Sequence, residues 1–370
     1  MIRRLAAAAA FLTVVLIVAG GVVTNTDSGL ACPDWPTCFG SALPKMEGSV
    51  AVEHTHRLIA TAVGLLTVAL VLLALRRAKQ GRLAAVVAGI SLFTLGASFW
   101  AGHVKYVSGA APLAGVALVL FGYACFGAAI AQAREADGKL SIAALALVMF
   151  QGLLGGMTVL YRLPTLVLVM HLGTSMLFLS LMLVIAVTQA SGLRPQTSGL
   201  KPPGPELRGV APQGQELPAA SRAFLWLTTA AVYFQIVLGA TVRHTGAGLV
   251  CTDLPYCRGA LWPTGVHPMV HLHMAHRALA FVVLALVAWS SAKVAREARG
   301  AVRVLALLAP ALVLVQIILG VLTILTFKDL VPLTAHLFVG ALLLAAFVSL
   351  LALTRAADAE RVGLAQIASA

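Results

Sequence analysis

Ten stretches of this chain are each long and apolar enough to cross a hydrocarbon layer, at about 5–23, 52–75, 83–102, 112–132, 140–160, 165–188, 222–242, 269–292, 301–326 and 330–353. Spanning ~30 Å takes about 20 helical residues, and in lipid only a helix or a closed barrel satisfies its own backbone hydrogen bonds. The chain is therefore expected to be an all-α polytopic membrane protein with about ten transmembrane helices. Its composition agrees: 60% of residues are hydrophobic and only 11% charged, against roughly 45–50% apolar in ordinary globular domains. No soluble core hides that excess, so soluble enzymes, disordered tails and disulfide-rich secreted scaffolds are excluded. The first run follows Arg3 and Arg4 and has the layout of a secretory signal. It recurs later in the chain with the same continuation, however, which a cleaved signal has no reason to do.

A net charge of +13 would suggest nucleic acid as the partner of a soluble protein. Here the cations sit in short clusters between apolar runs, the pattern of membrane topology, so membrane lipid and not nucleic acid is the expected surroundings. If the N-terminus is cytoplasmic, the cytoplasmic loops hold Arg3, Arg4, Arg76, Arg77, Lys79, Arg82, Arg134, Lys139, Arg194, Lys201, Arg208, Arg222, Lys293, Arg296, Arg299, Arg303, Arg355 and Arg361, eighteen of the 26 Lys and Arg. The positive-inside rule then places both termini in the cytoplasm, and the setting expected is a bacterial cell inner membrane.

The proline-rich stretch from about 190 to 221 reads as a polar cytoplasmic linker between a first half (1–190) and a second half (222–370). These halves repeat. Residues 20–40, GGVVTNTDSGLACPDWPTCFG, align without a gap to 239–259, GATVRHTGAGLVCTDLPYCRG, with ten identities at Gly20, Val23, Thr26, Gly29, Leu30, Cys32, Asp34, Pro36, Cys38 and Gly40. Farther on, His56-Arg57 matches His276-Arg277, and Gln151 stands twenty residues before His171 as Gln316 does before His336. Each half is thus expected to hold a four-helix unit. The first also carries an additional hairpin at about 83–132, which explains most of the difference between the His56 to His171 spacing of 115 and the His276 to His336 spacing of 60.

Ionisable groups inside a membrane are costly, so the intramembrane histidines are candidates for function. His56 and His276 lie in the first turns of even-numbered helices, and His171 and His336 lie a similar distance into the last helix of each half. At ~1.5 Å per residue all four sit roughly 6–10 Å below the outer helix ends. Two histidines at one depth in each half match axial ligation of a heme iron. Gly155, Gly156 and Gly173, with Gly320 and Gly340, would let a flat macrocycle in, though small residues also serve plain helix packing. Neither half supplies an obvious third and fourth buried ligand for zinc.

Glu53, three residues before His56, shares its helix face; the corresponding position of the second half is His273. Two roles are open to this carboxylate: partner of Arg57, or proton acceptor beside a bound porphyrin. Cys32/Cys38 and Cys251/Cys257 are equally spaced, lie in extracytoplasmic loops on this topology and are expected to form a disulfide each, as staples or as redox-active pairs. Cys125, inside an apolar run, reads as a packing residue.

SGLACPDWPTC followed by EHTHR, with a later QGLLGGMTVL and HL, closely resembles the heme A synthase family, the Cox15/CtaA type, over both halves apart from the hairpin and the linker. The resemblance implies two pseudo-symmetric four-helix bundles and oxidation of the C8 methyl group of heme O to a formyl group by successive hydroxylations, giving heme A for terminal oxidases. It implies heme b as cofactor on His276 and His336, heme O as substrate facing His56 and His171, and a catalytic role for Glu53. Cys32/Cys38 matches the family's functional pair. Partners of that chemistry would be an electron acceptor, heme O synthase and terminal oxidase assembly factors. The sequence departs from the family in two places. Thr24 and Asn25 stand where Arg243 and His244 stand in the second half, and the outer loop of the hairpin carries His103, Lys105 and Tyr106. The competing expectation is a diheme b-type carrier passing electrons from quinol to an external acceptor. A carboxylate in one half only favours the enzyme.

Overall fold

A computed structural model describes residues 1–108, 113–189 and 215–368, the side chains of 355–368 excepted. The ten apolar runs are ten helices: α1 (Ile2–Asn25), α2 (Gly48–Arg77), α3 (Gly81–Ser108), α4 (Leu113–Gln132), α5 (Ala136–Leu160), α6 (Thr165–Thr188), α7 (Ala219–His244), α8 (Pro268–Glu297), α9 (Gly300–Leu325) and α10 (Leu330–Ala368). All ten are long and apolar enough to span a membrane, in α10 over Leu330–Thr354, and no strand occurs among the described residues. The protein is an integral membrane protein. The linker expected at 190–221 lies outside the described residues as far as 214, with Arg194, Lys201 and Arg208, as do the side chains of Arg355 and Arg361. Arg222 falls inside α7, which starts at Ala219.

By packing, the chain divides into two units. One comprises Met1–Met182 with Asp329–Leu337, the other Leu183–Lys328 with Phe338–Ala370.

In the first unit α1 packs on α2, and α2 on α3 and α5, while α4 lies against α3 and α5. The additional hairpin α3–α4 is tightly joined. A Cβ on Gly115 would come within 2.5 Å of the Ala101 Cβ, and one on Gly122 would strike Thr94. Lipid tails are as apolar as leucine, so such close backbone approach, rather than hydrophobic transfer, holds membrane helices together. Hydroxyls between these helices bond their own turns, Ser91 to the Val87 carbonyl at 2.8 Å, Thr94 to Ile90 at 2.8 Å and Ser98 to Thr94 at 2.8 Å. Each of these three hydroxyls is thereby satisfied within its own helix. Toward the other end a cluster of Val71, Leu75, Leu83, Val87, Phe126 and Ile142 joins α2, α3, α4 and α5. The start of α10 meets α1 in this unit: Asn25 Nδ2 donates to Thr334 Oγ1 at 3.1 Å, and Gly21 leaves room for Leu337.

The second unit packs α7 on α8 and α8 on α9. Thr228 and Ser290 share a buried 2.6 Å hydrogen bond between α7 and α8. Gln215 clamps the start of α9, donating to the Arg299 carbonyl at 2.8 Å and accepting from its N–H at 2.6 Å.

The two cysteine loops share a backbone plan as well as a sequence. Each has a cis proline (Trp35–Pro36, Leu254–Pro255), a left-handed residue followed by a left-handed glycine (Phe39-Gly40, Arg258-Gly259) and one backbone bridge (Cys38 to Ser41, Cys257 to Ala260).

Candidate functional site

Both cysteine pairs are disulfide-bonded, Cys32 to Cys38 and Cys251 to Cys257, and all four residues are buried. Inside the first loop the Asp34 carboxylate accepts from Thr37 Oγ1 at 2.5 Å, the Phe39 N–H at 2.6 Å and the Gly40 N–H at 3.0 Å. Burial alone would raise the Asp34 carboxyl, but the Thr37 hydroxyl and these N–H groups together hold it below its ordinary value.

What fixes this loop over the bundle is one arginine. Arg57 Nη1 donates to the carbonyls of Asp34 at 2.9 Å and Thr37 at 2.6 Å, and its Nη2 pairs with Glu53 Oε1 at 2.5 Å. The other oxygen of Glu53 accepts the Cys32 N–H at 2.8 Å. Glu53, 4% exposed, therefore links the disulfide to α2, so the first of its two expected roles is met in the structure. His54, the next residue, donates through Nε2–H to the Ala42 carbonyl, 3.0 Å away.

Arg277 does the same in the second half, with donation to the carbonyls of Cys251 at 2.5 Å, Asp253 at 2.9 Å and Tyr256 at 3.0 Å. Its Nε donates to His273 Nε2 at 3.2 Å, so an imidazole replaces the carboxylate. Met274 replaces His54 and packs with the Cys251–Cys257 disulfide and Val270. The matching His-Arg pairs of the sequence are thus explained by the arginine as loop holder and the histidine as the residue beside it.

His56 and His171 are brought together in the first unit, close enough for a charge on one to act on the other. Neither Nδ1 makes a hydrogen bond although both are buried. The His56 ring fills space that Gly20 leaves on α1, where a Cβ would lie 3.1 Å from Cε1. The His171 ring lies against Gly155 of α5, 3.6 Å from the place of its Cβ. Gln151 fixes the backbone of His171, donating to its carbonyl at 3.1 Å and accepting from Ser175 Oγ at 3.2 Å. Two imidazoles whose Nδ1 atoms are buried and make no hydrogen bond, each set against a glycine, are a donor set suited to heme iron.

In the second unit His276 repeats the arrangement of His56: a Cβ on Gly239 would lie 2.9 Å from its Cε1. Gln235 donates to the His276 carbonyl at 2.9 Å, and Gln316 packs on Gly340, whose Cβ would be 3.1 Å from its Nε2. His336 stands between Thr334 and Leu337 on α10, in the stretch assigned to the first unit. Gly20 and Gly239 are among the ten identities but drew no role from sequence. Their service to the histidine rings becomes visible only when α1 meets α2 and α7 meets α8. Gly156, expected to admit a macrocycle, instead receives the indole of Trp35.

Among the described residues one set of metal-ligand atoms converges, Cys32, Cys38 and His54 within 4.8 Å. The two sulfurs are bonded to each other, which leaves a single imidazole and no zinc site.

Fold and site together define a polytopic helical membrane protein with two disulfide-bonded loops of one backbone plan and histidines set against glycines of the neighbouring helices. The sequence profile of the cytochrome oxidase assembly protein family, COX15-CtaA, matches residues 3–53 and 98–348, well over half of the chain. The unmatched 54–97 takes in most of α2 and α3. A protein of Symbiobacterium thermophilum named heme A synthase is 30% identical over 298 residues, 78% of this chain and 76% of the relative. Proteins of the same name from Shouchella clausii and Lysinibacillus sphaericus are each 26% identical, over 336 and 342 residues, and are covered to 88%. The chain belongs to the heme A synthase family.

Proposed function

We propose that the protein is a heme A synthase, an oxidoreductase that converts the C8 methyl group of heme O to a formyl group. The observation that carries the reading is the asymmetry at the outer end of α2 and α8. The first unit sets a carboxylate, Glu53, three residues before His56 and bonded to Arg57, and the second sets His273 at the same place, bonded to Arg277. An electron conduit has no use for such a difference, whereas a half that reacts and a half that only holds a cofactor require one.

On this reading His56 and His171 receive the substrate heme O, and His276 and His336 hold heme b, which when bound supplies one-electron redox chemistry. The residues 1–190 and 222–370 then act as a substrate half and a cofactor half, each a four-helix bundle, the first with the additional hairpin inserted. Oxidising a methyl carbon to a formyl carbon brings in one oxygen atom, from water or dioxygen, and removes hydrogen as protons and electrons, so the step needs that oxygen donor, an acceptor for the electrons and a base for the protons. Glu53 is the base at the reacting carbon. Arg57 keeps it in place and Cys32 gives it a hydrogen bond that a protonated carboxyl can keep on one oxygen. Gln151 orients His171 through its backbone, and the surrounding lipid excludes bulk water. Substrate delivery by a heme O synthase and hand-over to terminal oxidase assembly factors follow from this chemistry.

Acid-acetone extraction of the purified protein followed by chromatography tests the function. Heme O or heme A alongside heme b is the expected result. Heme b alone at two per chain would show a diheme electron carrier instead.

The topology that places the site at the outer face of a bacterial inner membrane is tested separately. A cysteine introduced in the 190–221 linker should stay unlabelled by an impermeant thiol reagent in intact cells, because the basic loops hold that side in the cytoplasm. One replacing Leu43, 75% exposed between the first disulfide and α2, should be labelled. The reverse pattern overturns the orientation.

A further inference from the structure

Trp35 is the one large side chain of the Cys32–Cys38 loop that turns inward, and where it goes is specific to the first half. Its indole lies on α5 at Gly156, where a Cβ would stand 2.7 Å from Cδ2 and 3.0 Å from Cε2 and Cε3. The same ring reaches α3, with Cε3 3.7 Å and Cζ3 4.0 Å from the place of a Gly102 Cβ, and Leu160 of α5 lies 3.5 Å from that place. Gly156 against the ring and Gly102 near its benzo edge form a cradle with no room for any other residue at Gly156. In the second half Leu254 replaces Trp35, Val321 stands at the position of Gly156, and α3 has no counterpart. The wide ring, the glycine that admits it and the helix that backs it therefore occur together, and only in the half that carries Glu53.

The cradle adjoins the histidine pair. Gly155, next to Gly156 on α5, faces the His171 ring. On the other flank, the carbonyls of Asp34 and Pro36, either side of Trp35, both accept from Arg57, the residue after His56. Trp35 is thus held from α2, α3 and α5, one residue along α5 from the glycine that faces His171 and one residue along α2 from His56. An indole presents a flat π face at little conformational cost, the shape that stacks on a porphyrin or on its unsaturated side chain.

We infer that Trp35 positions the substrate porphyrin over Glu53, and that the additional hairpin α3–α4 serves to brace Trp35 through Gly102. This rests on the assignment of His56 and His171 to the substrate. Trp35 is a positioning residue here and exchanges no proton or electron.

Ferric protoporphyrin IX, titrated into the detergent-purified full chain that already holds its heme b, is the probe, and the Soret change of the second equivalent is the readout. Trp35→Leu, which installs the second-half residue, should weaken that equivalent about tenfold, the size of one lost aromatic contact. Trp35→Phe should keep most of the affinity. Gly156→Ala, which pushes the indole out of its cradle, should weaken binding like Trp35→Leu, and the double variant should weaken it no further, since both changes remove one contact. The heme b spectrum reports folding in every variant. Should Trp35→Leu not fold, the comparison of Gly156→Ala with Trp35→Phe decides in its place. Unchanged affinity in Trp35→Leu and Gly156→Ala, or equal loss in Trp35→Phe and Trp35→Leu, overturns the inference alone. Absence of a second equivalent in the unaltered protein overturns the substrate assignment of His56 and His171 with it.

Discussion

Replacing His276 or His336 with alanine is expected to strip heme b from the protein while leaving all ten helices inserted. Insertion depends on apolar length, and α8 and α10 lose nothing of that when one imidazole becomes a methyl group. On the proposed assignment each substitution would take away one of the two side chains that would hold the iron. The effect should exceed the roughly 10–100-fold affinity cost of removing an outer-shell partner of a metal ligand. Gly239→Ala provides a graded version, because its Cβ would lie 2.9 Å from the His276 ring and push it aside without removing it. Absorption spectra of the purified variants, with membrane-fraction blots as the insertion control, give the result. A normal low-spin spectrum in both histidine variants would remove the heme b assignment.

Glu53→Gln should abolish most heme A formation, a fall of about 10²–10⁴-fold if the carboxylate is the proton acceptor, with heme O or a partly oxidised intermediate accumulating and heme b retained. Glutamine keeps an oxygen for the Cys32 N–H, and Arg57 keeps the carbonyls of Asp34 and Thr37, so the loop has the means to stay in place. What glutamine cannot do is take up a proton. Alanine is the wrong test. It would leave the Cys32 N–H without its acceptor and a mostly buried guanidinium without its counter-charge, and breaking such a pair costs about 3–5 kcal/mol. Near-normal heme A from the glutamine variant would mean that the carboxylate serves only to hold the loop.

The helices were legible because a membrane permits one solution for an apolar run of that length. Most of their ends shifted by a few residues, as with α7, which begins at Ala219 rather than 222, while α10 runs on to Ala368 rather than ending at 353. The duplicated plan was legible as well, since Cys32, Asp34, Pro36 and Cys38 return at fixed spacing. Sequence could pair His56 with Arg57 in register but could not say that the arginine turns outward to backbone carbonyls while the histidine turns inward against Gly20. That division depends on which face of α2 meets α1. Trp35 was hidden for a similar reason. Its partners Gly102 and Gly156 lie far away in the chain, on helices that read as uniform apolar runs, and a glycine in such a run has the same appearance whether it packs a neighbouring helix or receives a ring. Asn25, noted only as a departure from the family, proves to bond Thr334 at the start of α10, a contact no local pattern announces.

Arg57 and Arg277 grip their loops by main-chain oxygens, a feature that every residue type offers in the same form. A holder of that kind is blind to the side chains of what it holds. The loops have accordingly been free to exchange Trp35 for Leu254, Thr37 for Tyr256 and Phe39 for Arg258 without loosening from the helices beneath them. A change of side chains in one loop therefore leaves untouched the main-chain grip by which both loops are held on their helices.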